Sequence, residues 1–139
     1  MNVFLDTNIL LDIIEGRQQF LLVSSNVFDL GIRGQIEMFA TPLTFANCVY
    51  TARKNVGYEQ AVKGLRSLKS YVRTAAMDDA QVTEALNSGM PDFEDMLQYE
   101  AALTAKCDVI VTRDKKRHFP IGGLPVLSPE VFLNTYFGN

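Results

Sequence analysis

The sequence of 139 residues has little of what several protein classes depend on. Its two cysteines, Cys48 and Cys107, lie in apolar segments without CxxC spacing, so we expect reduced core residues of a cytoplasmic protein. His118 is the single histidine, which disfavours a zinc site. Charged Asp6 and Asp12 interrupt the apolar N-terminus, so we expect no signal peptide. No apolar run reaches the length that spans a membrane, and we expect no membrane association.

The sequence also lacks an excess of positive charge. Its 13 basic residues face 16 acidic ones, and a net charge of -3 does not by itself indicate a nucleic-acid binder. A polyanionic partner would therefore need a local basic patch, or metal ions bridging it to acidic side chains. There is no internal repeat, low-complexity tract or linker, so we expect a single domain over residues 1–139 that is long enough to bury a core.

Short apolar runs alternate with amphipathic segments along the chain. The expected strands are 3–5, 36–40, 72–77, 108–111 and 124–127. The expected helices are 9–15, 18–32, one opened by Thr41-Pro42, 58–70, one capped by Asp78 or Asp79, 93–106, and one opened by Ser128-Pro129-Glu130. We expect Thr7 and Asn8 to cap the first helix. This alternation predicts an α/β fold, with a doubly wound parallel sheet and helices on both faces.

Acidic side chains from three distant segments map to the carboxyl ends of the expected strands. Asp6 follows the first strand, Asp114 follows the strand 108–111, and Asp92, Glu94 and Asp95 open the long helix. In open α/β sheets, ligands bind outside these strand ends. If the first strand and strand 108–111 are neighbours, Asp6 and Asp114 open onto one crevice. Each acid also has a purely structural interpretation, as a helix cap, a partner of the helix dipole or a solvated loop charge.

Clustered carboxylates repel one another unless a cation lies between them. Oxygen ligands of this kind suit Mg²⁺ or Mn²⁺, which can activate water and stabilise an in-line displacement at phosphorus. The residues therefore predict metal-dependent phosphodiester hydrolysis. A haloacid dehalogenase relative would need a second aspartate where Asn8 stands. A receiver domain would need a phosphoacceptor aspartate at a strand end, whereas strand 36–40 ends in Ala40-Thr41-Pro42.

Three motifs resemble those of PIN domains, and they occur in the family's order. They are Leu5-Asp6-Thr7-Asn8-Ile9-Leu10, Asp92-Phe93-Glu94-Asp95-Met96-Leu97-Gln98 and Val111-Thr112-Arg113-Asp114-Lys115-Lys116. The likeness spans nearly the whole chain and is closest to the bacterial branch that includes toxins of the VapC type. It implies a three-layer α/β/α sandwich with a central parallel sheet, and an Mg²⁺- or Mn²⁺-dependent endoribonuclease. It also implies frequent homodimers, RNA as substrate and, for toxins, an antitoxin that covers the site.

The resemblance assigns catalysis and metal binding to Asp6, Asp95 and Asp114. The family's usual glutamate after the second strand is replaced here by Asn47, which offers a metal a carbonyl oxygen but no charge. A recognisable PIN subgroup shares this asparagine and the Glu-Asp pair after a phenylalanine. We expect the site to hold its metal more weakly, unless Glu94 as a further ligand, or Asp92, compensates. A catalytically weak PIN module that binds nucleic acid or protein is therefore the alternative function.

The remaining expected roles are supportive. Thr112 is expected to hydrogen-bond a carboxylate or a phosphate, and Asn8 to orient Asp6. The basic run beyond strand 108–111 is expected to contact the RNA backbone, although a solvated loop would have the same composition. Its members are Arg113, Lys115, Lys116 and Arg117. We do not expect His118 to act as a general base.

Overall fold

The computed structural model describes residues 1–115 and 118–138. Within these residues the chain forms five strands and seven helices. The strands are β1 (Asn2–Leu5), β2 (Glu37–Ala40), β3 (Val72–Thr74), β4 (Val109–Val111) and β5 (Val126–Leu127). The helices are α1 (Thr7–Ile14), α2 (Leu21–Ile32), α3 (Pro42–Val56), α4 (Tyr58–Lys69), α5 (Asp79–Leu86), α6 (Phe93–Thr104) and α7 (Pro129–Phe137).

The strands form one parallel sheet in the order β3-β2-β1-β4-β5. The first strand lies at its centre, with Phe4 opposite Phe39 of β2 on one side and Ile110 of β4 on the other. The first strand and strand 108–111 are neighbours, which is the condition under which Asp6 and Asp114 open onto one crevice. Since the strand order reverses at β1, a crevice is expected beyond the carboxyl end of this strand.

Both faces of the sheet are covered, which explains the unbroken apolar run in β1. Val3 and Leu5 pack into one core, and Phe4 packs into the other. All three are at most 1% exposed. Side chains alternate between the faces of a strand, so a strand covered on both sides must be apolar at every position. Ile110 repeats the pattern in β4 and joins Phe4. The predicted three-layer α/β/α fold is confirmed.

Helix starts follow the predicted capping residues closely. The Thr41 hydroxyl accepts from the Thr44 backbone N–H at 3.1 Å, and Pro42 occupies the first helical position. Ser128 and Asp92 cap α7 and α6 in the same way. These caps satisfy backbone donors that have no partner inside a helix.

The expected cap of α1 is wrong, two boundaries are wrong by three residues, and several others differ by one or two residues. The cap of α1 is Asp6 rather than Thr7 or Asn8, because an Asp6 carboxylate oxygen accepts from the Thr7 N–H at 2.8 Å. The second helix begins at 21 rather than 18, since residues 18–20 form a turn. The third strand ends at 74 rather than 77. Its partner strand β2 ends at Ala40, whose carbonyl takes the last ladder bond, from the Ala75 N–H at 2.7 Å.

The two cysteines are buried free thiols, as predicted. Cys48 belongs to the core on the α1 face and Cys107 to the core on the opposite face. Burial raises the pKa of each thiol to about 12, with smaller contributions from Asp6 beside Cys48 and Asp108 beside Cys107. Among the residues described, no helix combines the length and the apolar character needed to cross a membrane.

Candidate active site

Asp6 is a buried carboxylate at the end of the central strand. Its backbone N–H donates to the Val111 carbonyl at 3.0 Å, which extends the ladder between β1 and β4. The residue is only 2% exposed. One carboxylate oxygen caps α1 through Thr7, and the other accepts from the Thr112 hydroxyl at 2.7 Å. The Asn8 amide lies 3.4 Å from that second oxygen. Donors on two elements therefore fix the orientation of this carboxylate.

Thr112 links Asp6 to the chain that leaves β4. Its hydroxyl donates to Asp6 and accepts from the Asp114 backbone N–H at 3.0 Å and from the Asn8 amide at 3.1 Å. The Thr112 hydroxyl thus bonds a carboxylate, and Asn8 lies beside the same oxygen. The supporting roles of both residues in a functional site stay predictions. Asp114 is thus held beside Asp6 through one shared hydroxyl, although its own side chain is exposed.

Asp95 is the second buried carboxylate, with 1% of its surface exposed. Its N–H donates to the Asp92 cap at 2.9 Å, and one of its carboxylate oxygens accepts from the His118 backbone N–H at 2.8 Å. Ligand atoms of Asp92, Asp95 and His118 all lie within 4.8 Å of one another. The start of α6 therefore meets the chain beyond β4, at the same edge of the sheet as Asp6.

Gln98 anchors this end of α6 to the start of α3. Its side-chain carbonyl accepts from the Thr41 hydroxyl at 2.7 Å and from the Thr44 hydroxyl at 3.2 Å, and all three residues are buried. Buried polar groups need such partners, because an unmade hydrogen bond in the interior costs about 1–3 kcal/mol. Asp95 lies one helical turn before Gln98, so these hydrogen bonds also fix the position of Asp95 at the edge of the sheet.

Asn47 and Glu94 lie together at the rim. The Asn47 amide donates to a Glu94 carboxylate oxygen at 2.8 Å. The position that departs from the family pattern is therefore in direct contact with the acid that was expected to compensate for it. The roles of Glu94 as a metal ligand and of Asn47 as a supporting residue stay predictions.

The basic residues expected to bind RNA have different surroundings. Lys115 is exposed, whereas the Arg113 guanidinium forms two hydrogen bonds with buried Asp12, at 2.6 and 2.7 Å. Lys116 and Arg117 lie outside the described residues. An RNA contact from any of the four stays a prediction, and for Arg113 the structure supplies a partner within the protein.

Sequence reasoning missed Asp12, Gln98 and His118. The sequence holds one indication for Asp12, because an acid on a short and mostly apolar helix is expected to be buried with a partner. It lies four residues after Asn8 and therefore on the same helical face. The sequence holds no such indication for Gln98 and His118, because their partners lie in segments distant along the chain. The expected ligand set contained no histidine, so the imidazole near Asp92 is an addition to it.

The donor set fits a divalent cation. Two carboxylates, Asp6 and Asp95, are almost completely buried, and hydrogen bonds from the protein orient both of them. The spacing within Asp92, Asp95 and His118 is that of side chains able to share one ion. Oxygen ligands suit Mg²⁺ and Mn²⁺, and the His118 imidazole would add one nitrogen ligand.

The fold is a doubly wound α/β/α sandwich, and buried acids lie at the carboxyl edge of its sheet. A family profile described as PIN domain matches residues 2–116. The chain belongs to the PIN domain family. No curated protein matches the sequence.

Solved structures with the same fold come from bacterial toxin–antitoxin systems. VapBC2 from Rickettsia felis, bound to a DNA fragment from its promoter, matches with a TM-score of 0.65 and 19% identity over 92% of this chain and 98% of that one. VapC20 from Mycobacterium tuberculosis, a toxin that cleaves the sarcin-ricin loop, matches with a TM-score of 0.65 and 11% identity over 82% and 91%. A toxin-antitoxin complex from Klebsiella pneumoniae matches with a TM-score of 0.62 and 20% identity over 91% and 97%. At these identities the likeness concerns the fold.

Proposed function

We propose that the protein is an Mg²⁺- or Mn²⁺-dependent endoribonuclease, and the toxin of a toxin–antitoxin pair. The observation that carries the proposal is the arrangement of Asp6 and Asp95. Two carboxylates from sequence-distant elements are buried at the carboxyl edge of one sheet, in a chain that matches the PIN domain profile. Acids with a purely structural role are rarely buried so fully.

Asp6, Asp95 and Asp114 would hold the metal, with Asp92, Glu94 or His118 adding to the set. A bound Mg²⁺ or Mn²⁺ supplies a Lewis acid that activates water and stabilises charge developing on the scissile phosphate. The protein's own part is orientation. Thr112 and Asn8 hold Asp6, the Asp92 cap and the His118 N–H hold Asp95, and Gln98 fixes the helix that carries it.

The substrate of this proposal is RNA, engaged through its phosphates by the basic segment beyond β4. Exposed Lys115 lies one residue from Asp114, so a phosphate bound by this lysine would lie beside the acidic site. Lys116 and Arg117 extend the same run in sequence. Phosphate contacts of this kind position the substrate without reading its sequence.

The toxin assignment further implies a homodimer and an antitoxin that covers the site, in a single-domain cytoplasmic protein. A small DNA-binding protein encoded immediately upstream would support this partner. Co-expression should then yield a complex in which RNA cleavage is suppressed.

The second candidate is a PIN module without catalytic activity, which Asn47 favours. This residue removes one negative charge from the family's usual set and uses its amide to bind Glu94. Such a protein would bind RNA or a protein partner without hydrolysing phosphodiester bonds.

The direct test incubates purified protein with structured and single-stranded RNA in Mg²⁺, Mn²⁺ or EDTA. We expect cleavage with either metal and none with EDTA. Intact RNA under every metal condition, together with a flat metal titration, would refute the enzyme proposal and leave the binding module.

A further inference from the structure

A fully buried acid outside the acidic site, Asp12, binds a side chain of the segment that follows β4. Asp12, on α1, is 0% exposed. Its carboxylate accepts two hydrogen bonds from the Arg113 guanidinium, at 2.6 and 2.7 Å, and one from the Ser24 hydroxyl at 2.6 Å. Arg17 lies 3.7 Å from one of its oxygens. A carboxylate buried to this degree requires such partners, so the arrangement is specific rather than incidental.

The Arg113 side chain contacts both an acid and an aromatic ring. Two nitrogens of its planar guanidinium match the two oxygens of Asp12, which is the geometry that lysine cannot reproduce. The guanidinium carbon also lies 3.6 Å from the centroid of the Phe20 ring, in cation–π contact. The side chain is 18% exposed. Two of its three guanidinium nitrogens, Nε and Nη2, therefore donate within the protein.

Two residues of α1 form hydrogen bonds with Arg113. The Asn8 side-chain carbonyl accepts from the Arg113 backbone N–H at 3.1 Å, and Asp12, four residues further along the same helical face, binds its side chain. Arg113 stands between Thr112, which bonds Asp6, and Asp114. A rigid helix thus sets the path of the three residues that connect β4 to the acidic site.

We propose that the buried Asp12–Arg113 pair is a positioning device for the proposed active site, and that Arg113 is not an RNA contact. The pair fixes Thr112 against Asp6 and places Asp114 at the edge of the crevice. The inference rests on the proposed function only where metal binding and cleavage are concerned. The placement of the segment 112–114 can be measured without metal or RNA.

The test must separate positioning from simple stabilisation. Removing one partner leaves the other charge buried and endangers the fold, whereas replacing both with apolar side chains of similar volume often preserves stability. The main variant is therefore the double substitution Asp12→Leu with Arg113→Met. Arg113→Lys is the second variant, since it keeps the charge but loses the two-pronged geometry. Lys115→Ala is the comparison for loss of a phosphate contact.

The first measurement is amide hydrogen exchange in metal-free protein. We expect exchange within residues 112–114 to accelerate at least about tenfold in the double variant, while the strands β1 and β2 keep wild-type protection. Arg113→Lys should show a smaller acceleration in the same segment. Unchanged local exchange in whichever of these variants is folded would overturn the positioning role.

The second measurement compares Mn²⁺ affinity by calorimetry with RNA cleavage kinetics. Loss of a residue that orients metal ligands typically lowers affinity about 10–100-fold, so both Mn²⁺ affinity and kcat should fall in the double variant, while KM and its salt dependence stay unchanged. Lys115→Ala should instead raise KM and reduce the salt slope by about one. A salt slope lowered by the double variant would identify Arg113 as an RNA contact and overturn the inference. If wild type neither binds Mn²⁺ nor cleaves RNA, the proposed function fails, and the exchange measurement still decides the positioning role.

Discussion

Replacing Asn47 by glutamate tests whether this position limits the metal site. In the structure the Asn47 amide donates to a Glu94 carboxylate oxygen at 2.8 Å, so a glutamate would set two carboxylates against each other. Asn47→Gln is the matched control, because glutamine has the length of glutamate and keeps a neutral amide. Differences between the two variants therefore report the added charge.

The magnitude follows from this contact. Loss of one exposed hydrogen bond costs about 1 kcal/mol, and two unit charges 4 Å apart in water repel by about 1 kcal/mol. Without metal, Asn47→Glu should therefore lower the free energy of unfolding by about 1–2 kcal/mol, or several degrees in Tm. The loss should shrink in high salt, which screens exposed charges. Asn47→Gln should lose less and show no dependence on salt.

With metal bound, Asn47→Glu should be favoured over Asn47→Gln, the reverse of their order of stability without metal. An added carboxylate beside Glu94 supplies charge to the ligand set, and we expect Mn²⁺ affinity to rise about tenfold, equivalent to about 1.4 kcal/mol of binding free energy. Isothermal calorimetry on the wild type and both variants measures this directly. Affinity that is unchanged or lower in Asn47→Glu would show that position 47 does not reach the metal, or that Glu94 already takes the place of the missing ligand.

Two further predictions concern the cores. Burial holds the thiol pKa of Cys48 and Cys107 at about 12, so few thiolates form at pH 8. Iodoacetamide should therefore label the folded protein far more slowly than the unfolded one. Rapid labelling of native protein would contradict the burial of these side chains. A Cβ on helical Gly31 would overlap the buried Met38 side chain, whereas one on helical Gly64 would meet its nearest neighbour at 3.5 Å. Gly31→Ala should therefore lower Tm, and Gly64→Ala should raise the stability by about 0.5–1 kcal/mol through helix propensity; equal melting shifts of one sign would refute this packing argument.

The fold could be predicted because its signals are local. The apolar run Val3 to Leu5 requires a strand covered on both faces, and the pairs Thr41-Pro42 and Ser128-Pro129 mark helix starts through capping chemistry that involves neighbours in sequence. One error arose where pairing with a distant segment decides the boundary. The third strand ends early because its partner β2 ends at Ala40, which no pattern near residue 74 reveals.

The positions of the acids could be predicted from the sequence, whereas most of their contacts could not. Asp6 and Asp114 follow from their place after strands, and Thr112 was expected to bond a carboxylate. The pairing of Arg113 with Asp12 was not foreseen, because 101 residues separate them and a basic run after a strand is equally typical of a phosphate-binding loop. The proximity of His118 to Asp92 depends in the same way on how the chain beyond β4 folds back towards α6.

The central claim is that the buried carboxylates form a metal-dependent nuclease site, and Asp95→Asn tests it most directly. Asparagine keeps the size of the side chain and can still accept from the His118 N–H, so metal-free stability should change by no more than about 1 kcal/mol. Asp6→Asn and Asp114→Asn should likewise abolish cleavage.

The measurement is a pair of melting curves for wild type and Asp95→Asn, with and without Mn²⁺, beside an RNA cleavage assay on the same samples. Wild type should cleave RNA and, at a Mn²⁺ concentration 100 times Kd, gain about 2.7 kcal/mol of stability by mass action. Asp95→Asn should be inactive and gain little. An Asp95→Asn protein that is destabilised without metal yet still cleaves RNA would show that this carboxylate serves the helix rather than the site, and would contradict the account.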